Sequence, residues 1–445
     1  MTADRSPAAR IPRCPSRPAR RRLSLIAFAF VALAAGLAAA DETCQSPFLP
    51  KVTGQEDFIY VWTLGMKGVA DGNDSMVTVD ANPKSPSYGK IVHRAPVPGQ
   101  HEAHHAGFTD DRRFLWAGGL DTSQIFIFDV ATDPAKPKLV KTIKTFERDT
   151  GLAGPHTFYA LPGRMLISAL SNARDGSGRT GLAEYGNDGR LIRTIWMPKE
   201  APYGYDVRVN VNLNRMLTSS FTGKRNYMRP LGDLIKDAEA MKNFGGTMVV
   251  WDFHARKPLQ ILQVPGVPLE IRWALQPNHH YAFTSTALTN QLVLIYRKED
   301  GTFDTKNIAD IGANTLPVDI SIAPDDSKIY VNTFMDGTLR VYDVSNPFEG
   351  KLIETVKLGE KANMVSESWD GQRVYATNSL LSKWDTPGDY WLKAFTWEGG
   401  KLVPKFTTDF NGVGRAHIMN FGSRALRSAG PPPGPADVGR YAARR

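Results

Sequence analysis

The sequence predicts an all-β protein: a single β-propeller of seven blades, with a short helical insertion near residues 230–244. Three observations predict it. Short runs rich in β-branched and aromatic residues are separated by Asp-Gly and Asp-Asp turns. Long amphipathic helical patterns are almost absent from the chain. One strand–turn–strand pattern also returns at intervals of roughly 45–60 residues, which is typical of propeller blades.

The repeating unit is a polar turn, a short β-type run, a second run that ends in aromatic-Asp, and a Pro-rich exit. Residues 110–117 lead to residues 124–129 in this way, and residues 325–332 lead to residues 338–343. A sheet that cannot bury its own face must stack on its neighbours, so we expect these units to close into a ring. About 380 residues provide seven blades of four strands, with eight blades as the alternative.

The N-terminal segment has the pattern of a secretory signal. Residues 1–24 hold seven arginines and one acid, and residues 26–37 form an apolar run that is too short for a membrane span. Three alanines at residues 38–40 then precede Asp41, where we expect cleavage. Residues 20–22 are three arginines that resemble a twin-arginine signal, although the general export pathway stays open. The sequence therefore predicts a periplasmic protein with no stable membrane span after cleavage.

Charge divides the chain into three parts: a signal peptide at residues 1–40, a propeller at residues 41–422 and a disordered basic tail at residues 423–445. The formal net charge is +9, of which the signal contributes +6 and the tail +4, leaving the propeller near −1. The basic character belongs to the two ends, so we expect no nucleic acid as partner. Of the two cysteines, only Cys44 survives cleavage; a bystander, an intermolecular bridge and a ligating thiol all stay open.

The most informative segment is residues 101–108, which holds three of the nine histidines. Neutral imidazole is the commonest protein ligand for copper, zinc and iron. On a regular strand His104 and His105 point to opposite faces, so both can bind one metal only at a strand end, bulge or loop. The alternatives are a surface turn or a histidine locked by hydrogen bonds inside a sheet. A metal site here needs further ligands from elsewhere.

Two remote histidines are candidates for those ligands. His156 lies just before a predicted strand, and His417 lies near the end of the fold, where ring closure can return it beside an early blade. The remaining histidines are predicted to lie in turns or to pack on strands: His93, His254, His279 and His280.

Several short motifs occur in a fixed order along residues 41–422: Asp41-Glu42-Thr43-Cys44, residues 77–80, residues 102–108, residues 154–157, residues 268–272, residues 379–385 and Ala416-His417. In order and coverage they resemble the selenium-binding protein/methanethiol oxidase family, most closely its bacterial periplasmic branch. The chain departs from the eukaryotic branch at two positions. Gly89 stands where that branch has the cysteine linked to selenium, and Tyr159 replaces a second histidine after His156.

The resemblance implies a seven-bladed propeller that binds copper and oxidises methanethiol with O2 and water to formaldehyde, hydrogen sulfide and hydrogen peroxide. Zinc is not excluded, because histidine-rich sites bind both ions. The histidines at the family's motif positions inherit its metal-ligand role: His104, His105, His156 and His417. Glu270 and Arg272 lie in a shared motif whose role the spacing does not assign.

The expected chemistry requires a small thiol, O2 and a base beside the metal. A thiolate is a soft ligand for copper, and binding to a cation favours the deprotonated thiol. Glu270, Asp206 and Glu102 are the candidate bases that activate water. A non-enzymatic periplasmic scaffold, a copper-handling protein and an oxidase acting on another thiol stay open as alternatives. Self-association into a homo-oligomer also stays open.

Overall fold

The fold is that of a computed structural model, which describes residues 46–50, 54–385 and 388–425. Within these residues, twenty-eight strands form seven four-stranded antiparallel sheets. This architecture confirms the predicted seven-bladed propeller. The predicted signal segment, Cys44 and the tail from residue 426 onward lie outside the described residues. No helix in the described ranges is long and apolar enough to cross a membrane.

The first blade contains β1 (Phe58–Leu64), β2 (Ser75–Asp80) and β3 (Ile91–Pro96), and it is completed by the last strand, β28 (Arg415–Gly422). The other six blades each use four consecutive strands, which are β4 (Ala103–Phe108), β5 (Phe114–Gly119), β6 (Gln124–Asp129), β7 (Lys138–Ile143), β8 (Leu152–Leu161), β9 (Arg164–Asn172), β10 (Gly181–Gly186), β11 (Leu191–Trp196), β12 (Val207–Asn210), β13 (Arg215–Thr218), β14 (Thr247–Asp252), β15 (Lys257–Gln263), β16 (Pro268–Trp273), β17 (Tyr281–Thr286), β18 (Gln291–Arg297), β19 (Phe303–Asp310), β20 (Pro317–Ile322), β21 (Lys328–Thr333), β22 (Thr338–Asp343), β23 (Lys351–Lys357), β24 (Val365–Glu367), β25 (Arg373–Thr377), β26 (Trp391–Glu398) and β27 (Lys401–Asp409).

Each blade runs from a buried inner strand to a more exposed outer strand. The inner strands β28, β4, β8, β12, β16, β20 and β24 contact the inner strands of neighbouring blades around the central axis. Nearly all their residues are buried, whereas exposed and half-buried positions alternate along outer strands such as β7 and β23. Inner strands are covered by blades on both faces, which explains why they are buried along their length although several of them carry polar residues.

Closure of the ring depends on the pairing of β28 with β1, in which Phe58 lies opposite Gly422. The seventh blade adds ionic and hydrogen-bond contacts to the first. The buried carboxylate of Glu56 accepts two hydrogen bonds from Arg373, at 2.8 and 2.9 Å, and another from the Tyr375 hydroxyl. These contacts join the seventh blade to the first.

The helical insertion differs in detail from the prediction of one segment near residues 230–244. It consists of three short helices, α2 (Lys224–Tyr227), α3 (Leu231–Leu234) and α4 (Ala238–Met241), after an earlier short helix, α1 (Phe146–Thr150). Pro230 begins α3, and the side chain of Asp237 accepts two backbone N–H bonds at the start of α4. These separate starts divide the insertion into single turns.

Several inner strands contain one extra residue relative to the strand they pair with. In β4 the pairing moves from Ala103↔Gly119 to Ala106↔Ala117, so three steps on β4 match two on β5. The same shift occurs in β8 after Pro155, in β16 after Pro268, and in β28 between Ala416 and Met419. A β-bulge of this kind turns side chains away from the regular alternation. The four bulges contain the histidines and Glu270 that the sequence singled out.

Gly107 lets the second and third blades approach closely beside these bulges. A Cβ added at Gly107 would lie 2.0 Å from the carbonyl oxygen of Phe158 on β8. We predict that Gly107→Ala destabilises the fold by roughly 1–3 kcal/mol, because backbone must move to relieve the overlap. Urea unfolding measures this. The exposed Gly232→Ala, whose Cβ would meet nothing within 4 Å, is the control and leaves stability unchanged or raised. Equal stability of the two variants would contradict the close-approach argument.

Candidate metal centre

The four histidines predicted as ligands meet at the centre of the propeller. His104 and His105 come from β4, His156 from β8, and His417 from β28, so three neighbouring blades contribute. The rings of His104 and His417 are stacked with centroids 4.0 Å apart, and those of His105 and His156 lie 3.9 Å apart. One ligand atom from each of His104, His105 and His156 lies within 4.8 Å of the others.

The bulge in β4 explains how adjacent histidines serve one site. The rings of His104 and His105 lie on the same side with centroids 5.0 Å apart and an interplanar angle of 27°. A regular strand would place them on opposite faces. The extra residue of the bulge therefore explains how two consecutive histidines can face the same point.

Hydrogen bonds orient His417. Its Nδ1 lies 2.6 Å from the carbonyl oxygen of Ser379, which can only accept, so Nδ1 carries the proton. The Asn363 side chain donates to the same carbonyl at 2.5 Å. The Nε2 atom of His417 then carries the lone pair, and it has no hydrogen-bond partner among the described residues. A metal-binding histidine uses its second nitrogen in this way.

A second relay orients His156. The Thr157 hydroxyl donates to Oδ1 of Asp206 at 2.8 Å and lies 3.2 Å from Nδ1 of His156. Because the hydroxyl proton goes to the carboxylate, the hydroxyl oxygen accepts from His156 Nδ1. His156 Nε2 is left with its lone pair and without a partner in the described part of the chain. Nδ1 of His104 has no partner there either.

The four imidazoles are neutral. All are buried, and burial lowers the pKa of His104, His105 and His156 well below the usual value near 6.5. Burial lowers the pKa of His417 to about 3, which the Ser379 hydrogen bond opposes only in part. Neutral imidazole is the form that binds metals.

His101, the third histidine of the segment, is not available in the same way. Its Nδ1 lies 2.9 Å from the Thr122 hydroxyl, and its Nε2 lies 2.8 Å from the Pro98 carbonyl oxygen. Both nitrogens therefore have protein partners. Of the other histidines, His254 and His280 are exposed, His279 lies 2.7 Å from the Asp326 carboxylate, and His93 lies 3.1 Å from the Pro137 carbonyl oxygen.

A buried network of charges borders the histidines on the side of β12, β16 and β20. Glu270 Oε2 accepts from Arg208 at 3.1 Å and from Arg272 at 3.2 Å. Arg272 also donates to Asp319 at 3.0 Å, and Arg208 pairs with Asp206 at 2.9 Å. All five side chains are buried. Paired charges of this kind hold one another in fixed positions.

The three candidate bases differ in what they face. Both oxygens of Asp206 accept backbone N–H bonds, from Val207 and from Ile271. Glu102 binds the backbone N–H and hydroxyl of Ser382 at 2.6 and 2.5 Å, and burial raises its pKa to about 7.

Glu270 is different, because its Oε1 has no hydrogen-bond partner in the described ranges and lies 3.7 Å from Nε2 of His105. Burial raises its pKa well above the usual value. Glu270 is therefore the candidate base with an oxygen free beside the histidines.

An apolar cavity of about 50 Å³ reaches the site from the side of the helical insertion. Its wall includes His104, and the rest is aliphatic and aromatic, from the blades, the helices and residues 380–384. Tyr205 forms part of this wall, and its ring centroid lies 4.1 Å from that of His156. The histidines thus have a charged side and an apolar side.

Sequence reasoning missed several contributors to the site: Thr157, Tyr205, Arg208, Asp319 and the Ser379 carbonyl. One signal was available. The pairs Asp206/Arg208 and Glu270/Arg272 are opposite charges two residues apart within β-type runs, which places both members on one face of a strand. The Ser379 carbonyl had no such signal, because a backbone acceptor carries no side-chain identity.

The sequence matches the family model described as 56kDa selenium binding protein (SBP56) over residues 38–403. The chain belongs to this family. A Ruegeria pomeroyi protein named methanethiol oxidase is 51% identical over 435 residues, 92% of this chain and 100% of that protein. A Hyphomicrobium sp protein of the same name is 54% identical over 397 residues, 86% of this chain and 91% of its own length.

A solved relative in the selenium-binding protein family has the same fold. The X-ray structure of a hypothetical selenium-binding protein from Sulfolobus tokodaii is 26% identical, with a TM-score of 0.76 over 84% of this chain and 96% of that one. These matches confirm the family resemblance drawn from the sequence motifs.

At Gly89 the backbone φ is +73°, and an added Cβ would lie 2.7 Å from the Phe406 ring, so a side chain is strained there in this member of the selenium-binding protein family.

We predict that acid destabilises the protein stripped of metal ions. The folded-state pKa of His417 is about 3, and the unfolded value is about 6.5. As the pH falls below about 6.5, the unfolded chain takes up a proton that the folded chain does not, so stability is lost. At about pH 5.5 the loss is about 1.4 kcal/mol for each such histidine.

Urea unfolding at about pH 7.5 and about pH 5.5 measures this effect. His417→Gln reduces the difference, and the exposed-site control His254→Gln keeps it. The buried carboxylates with raised pKa values, Glu102 and Glu270, oppose the histidine effect equally in wild type and variants, so the test is the difference between them. A pH dependence that is the same in His417→Gln as in the wild type would contradict the neutrality of His417.

Proposed function

We propose that this chain is a copper-dependent methanethiol oxidase that converts methanethiol, O2 and water to formaldehyde, hydrogen sulfide and hydrogen peroxide. The observation that carries the proposal is the group of four buried, neutral histidines, three of which have a nitrogen without a partner among the described residues. The names of the Ruegeria and Hyphomicrobium relatives support the reaction. The charged side of the site, with its carboxylates and arginines, suits water as a reactant, and the apolar side suits a thiol.

The residues present fit a copper ion. A buried imidazole nitrogen without a hydrogen bond costs roughly 1–3 kcal/mol, and a bound metal offsets that cost. We propose His104, His105, His156 and His417 as the ligands. Copper, when bound, supplies electron transfer and a soft Lewis acid that favours the thiolate form of the substrate. Zinc suits the same nitrogens but has no redox chemistry, so an oxidase favours copper.

We propose Glu270 as the base. Its Oε1 is placed to accept a proton from the thiol or from the attacking water, while Arg208 and Arg272 hold Oε2. The other two candidate bases, Asp206 and Glu102, already accept hydrogen bonds, and we propose supporting roles for them. Asp206 orients His156 through Thr157, and Glu102 holds the segment around Ser382. General-base catalysis at a positioned carboxylate contributes about 10²–10⁴-fold in rate.

The overall reaction balances without a further reductant. Methanethiol loses two electrons and two protons, and O2 gains them to become hydrogen peroxide. Water supplies the oxygen atom of formaldehyde, and the sulfur leaves as hydrogen sulfide. We also propose that the reaction takes place in the periplasm, on the basis of the arginine-rich and apolar segment at residues 1–40.

His105→Ala is predicted to lower the copper content and to abolish oxygen uptake with methanethiol. The ring contributes one of the proposed ligands, and its loss removes the contact with Glu270. Metal analysis and an oxygen electrode on the same preparation give the two readouts. His254→Ala, at an exposed position, is the matched control and keeps both.

Copper in full amount without oxygen uptake in the wild type would instead favour a copper-handling protein. A wild type free of metal that still oxidised methanethiol would overturn the proposed mechanism.

Glu270→Gln is predicted to keep the copper and lose most of the turnover. The amide retains an oxygen for the two arginines but cannot accept a proton, so we expect kcat to fall by about 10²–10⁴-fold. The control is Glu367→Gln, a buried carboxylate on β24 that binds the Tyr330 hydroxyl at 2.8 Å, away from the histidines. Wild-type kcat in Glu270→Gln with normal copper content would rule out the base role.

A further inference from the structure

The apolar cavity beside His104 has a composition that the proposed chemistry alone does not explain. Two inner-strand bulge residues, Leu269 and Val318, form one side of it, and Leu231, Leu234 and Met241 of the helical insertion form another. Apart from His104, its walls carry no ionisable carboxylate, amine or guanidinium. Two members of the rim, Ile235 and Leu288, are 56% and 38% exposed, so the cavity opens to solvent between apolar side chains.

Aromatic rings lead from the metal ligands into this cavity. The ring of Tyr205 contacts that of His156, Phe221 lies 5.4 Å from Tyr205, and Trp384 lies 6.1 Å from Phe221. Phe221 also packs edge-on against Phe244, with centroids 5.6 Å apart. Phe221 is therefore at the centre of the aromatic wall, between the ligand side and the outer side.

The wall opposite the helices is fixed by hydrogen bonds. Glu102, two residues before His104 and with a positive φ of 62°, binds Ser382 through both carboxylate oxygens. The Asp385 carboxylate accepts from the Leu380 backbone N–H at 2.9 Å, and the Trp384 indole donates to the Arg229 carbonyl oxygen at 3.0 Å. The last bond ties this segment to the helical insertion. The cavity is thus preformed, and its dimensions select what enters.

A cavity of about 50 Å³ holds only a few heavy atoms, since one water requires about 10–15 Å³. A charged or hydroxylated thiol would lose its hydration there and find few hydrogen-bond partners, because apart from His104 and Tyr205 the walls are apolar. A short alkyl thiol in its neutral form gains from burial of its carbon atoms. Longer alkyl chains would overlap Phe221 and the leucines of the insertion.

We propose that this cavity is the specificity-determining entrance of the site: it admits short, uncharged thiols and excludes longer or charged ones, with Phe221 and Leu231 setting the length limit. This inference rests on the proposed oxidase function. It assigns the helical insertion a role that the fold itself does not require, since propeller blades close without it.

Ligand binding to the metal-free protein tests the cavity without turnover. The probes are dimethyl sulfide and dipropyl sulfide, uncharged thioethers of different length, and binding is followed by the fluorescence of Trp384 and the other tryptophans. We expect the wild type to bind dimethyl sulfide at least about tenfold more tightly than dipropyl sulfide. Phe221→Leu and Leu231→Ala each reduce or reverse that ratio. Phe146→Leu, at a buried ring in a different core cluster, keeps it.

The same variants then test turnover. With copper bound, we expect Phe221→Leu and Leu231→Ala to raise kcat/KM for propanethiol relative to methanethiol by about tenfold. The anionic thiol 2-mercaptoethanesulfonate is expected to be a poor substrate for every variant. Two variants are used so that one that fails to fold leaves the other informative.

The outcomes separate the two proposals. If the wild type oxidises methanethiol and both folded variants keep the wild-type ratios between short and long sulfides and thiols, the proposed entrance is overturned. Efficient oxidation of the anionic thiol also overturns it. The two proposals can also fail separately. If neither the wild type nor the variants oxidise methanethiol, but the variants differ from the wild type in their ratio of dimethyl sulfide to dipropyl sulfide binding, the entrance is supported and the oxidase function fails.

Discussion

The site depends on closure of the propeller ring. His417 is far from the other three histidines in sequence, and only the pairing of β28 with β1 brings it against β4 of the next blade. The salt bridge of Arg373 with Glu56 links the seventh blade to the first. A chain that failed to close would lose His417 from the cluster of histidines, together with its hydrogen bond to the Ser379 carbonyl. Closure of the ring therefore completes the fold and assembles the site at the same time.

The interior of the ring is polar, whereas a propeller core is ordinarily filled by apolar side chains. Its buried polar groups meet their need for hydrogen bonds in two different ways. The charged residues satisfy one another, because Arg208 and Arg272 pair with the surrounding carboxylates. Three of the four histidines do not, because one nitrogen of each has no hydrogen-bond partner among the described residues. Burial keeps these rings neutral, and neutral imidazole nitrogens without partners are the groups that the proposed copper ion would use. The apolar cavity beside His104 borders the same point.

The sequence predicted the seven blades because alternating apolar runs and Asp-rich turns are local signals that repeat along the chain. It also identified His104, His105, His156 and His417, whose rings meet. The geometry that joins them was not predictable: the bulge in β4 depends on pairing with β5, and the Ser379 carbonyl comes from another blade. The insertion was expected as one helix and is three short ones, because Pro230 and Asp237 each begin a new turn. Glu102 was a candidate base by its position beside the histidines, but its carboxylate binds Ser382.

The most direct test of the central claim, that four histidines from three blades hold one copper ion, is X-ray absorption at the copper edge of the loaded protein. We expect a first shell of imidazole nitrogens at about 2 Å, with scattering from four rings and no protein sulfur. His417→Ala would remove one ring from that shell. A shell dominated by sulfur, or a shell unchanged by His417→Ala, would contradict a copper ion held by these four histidines.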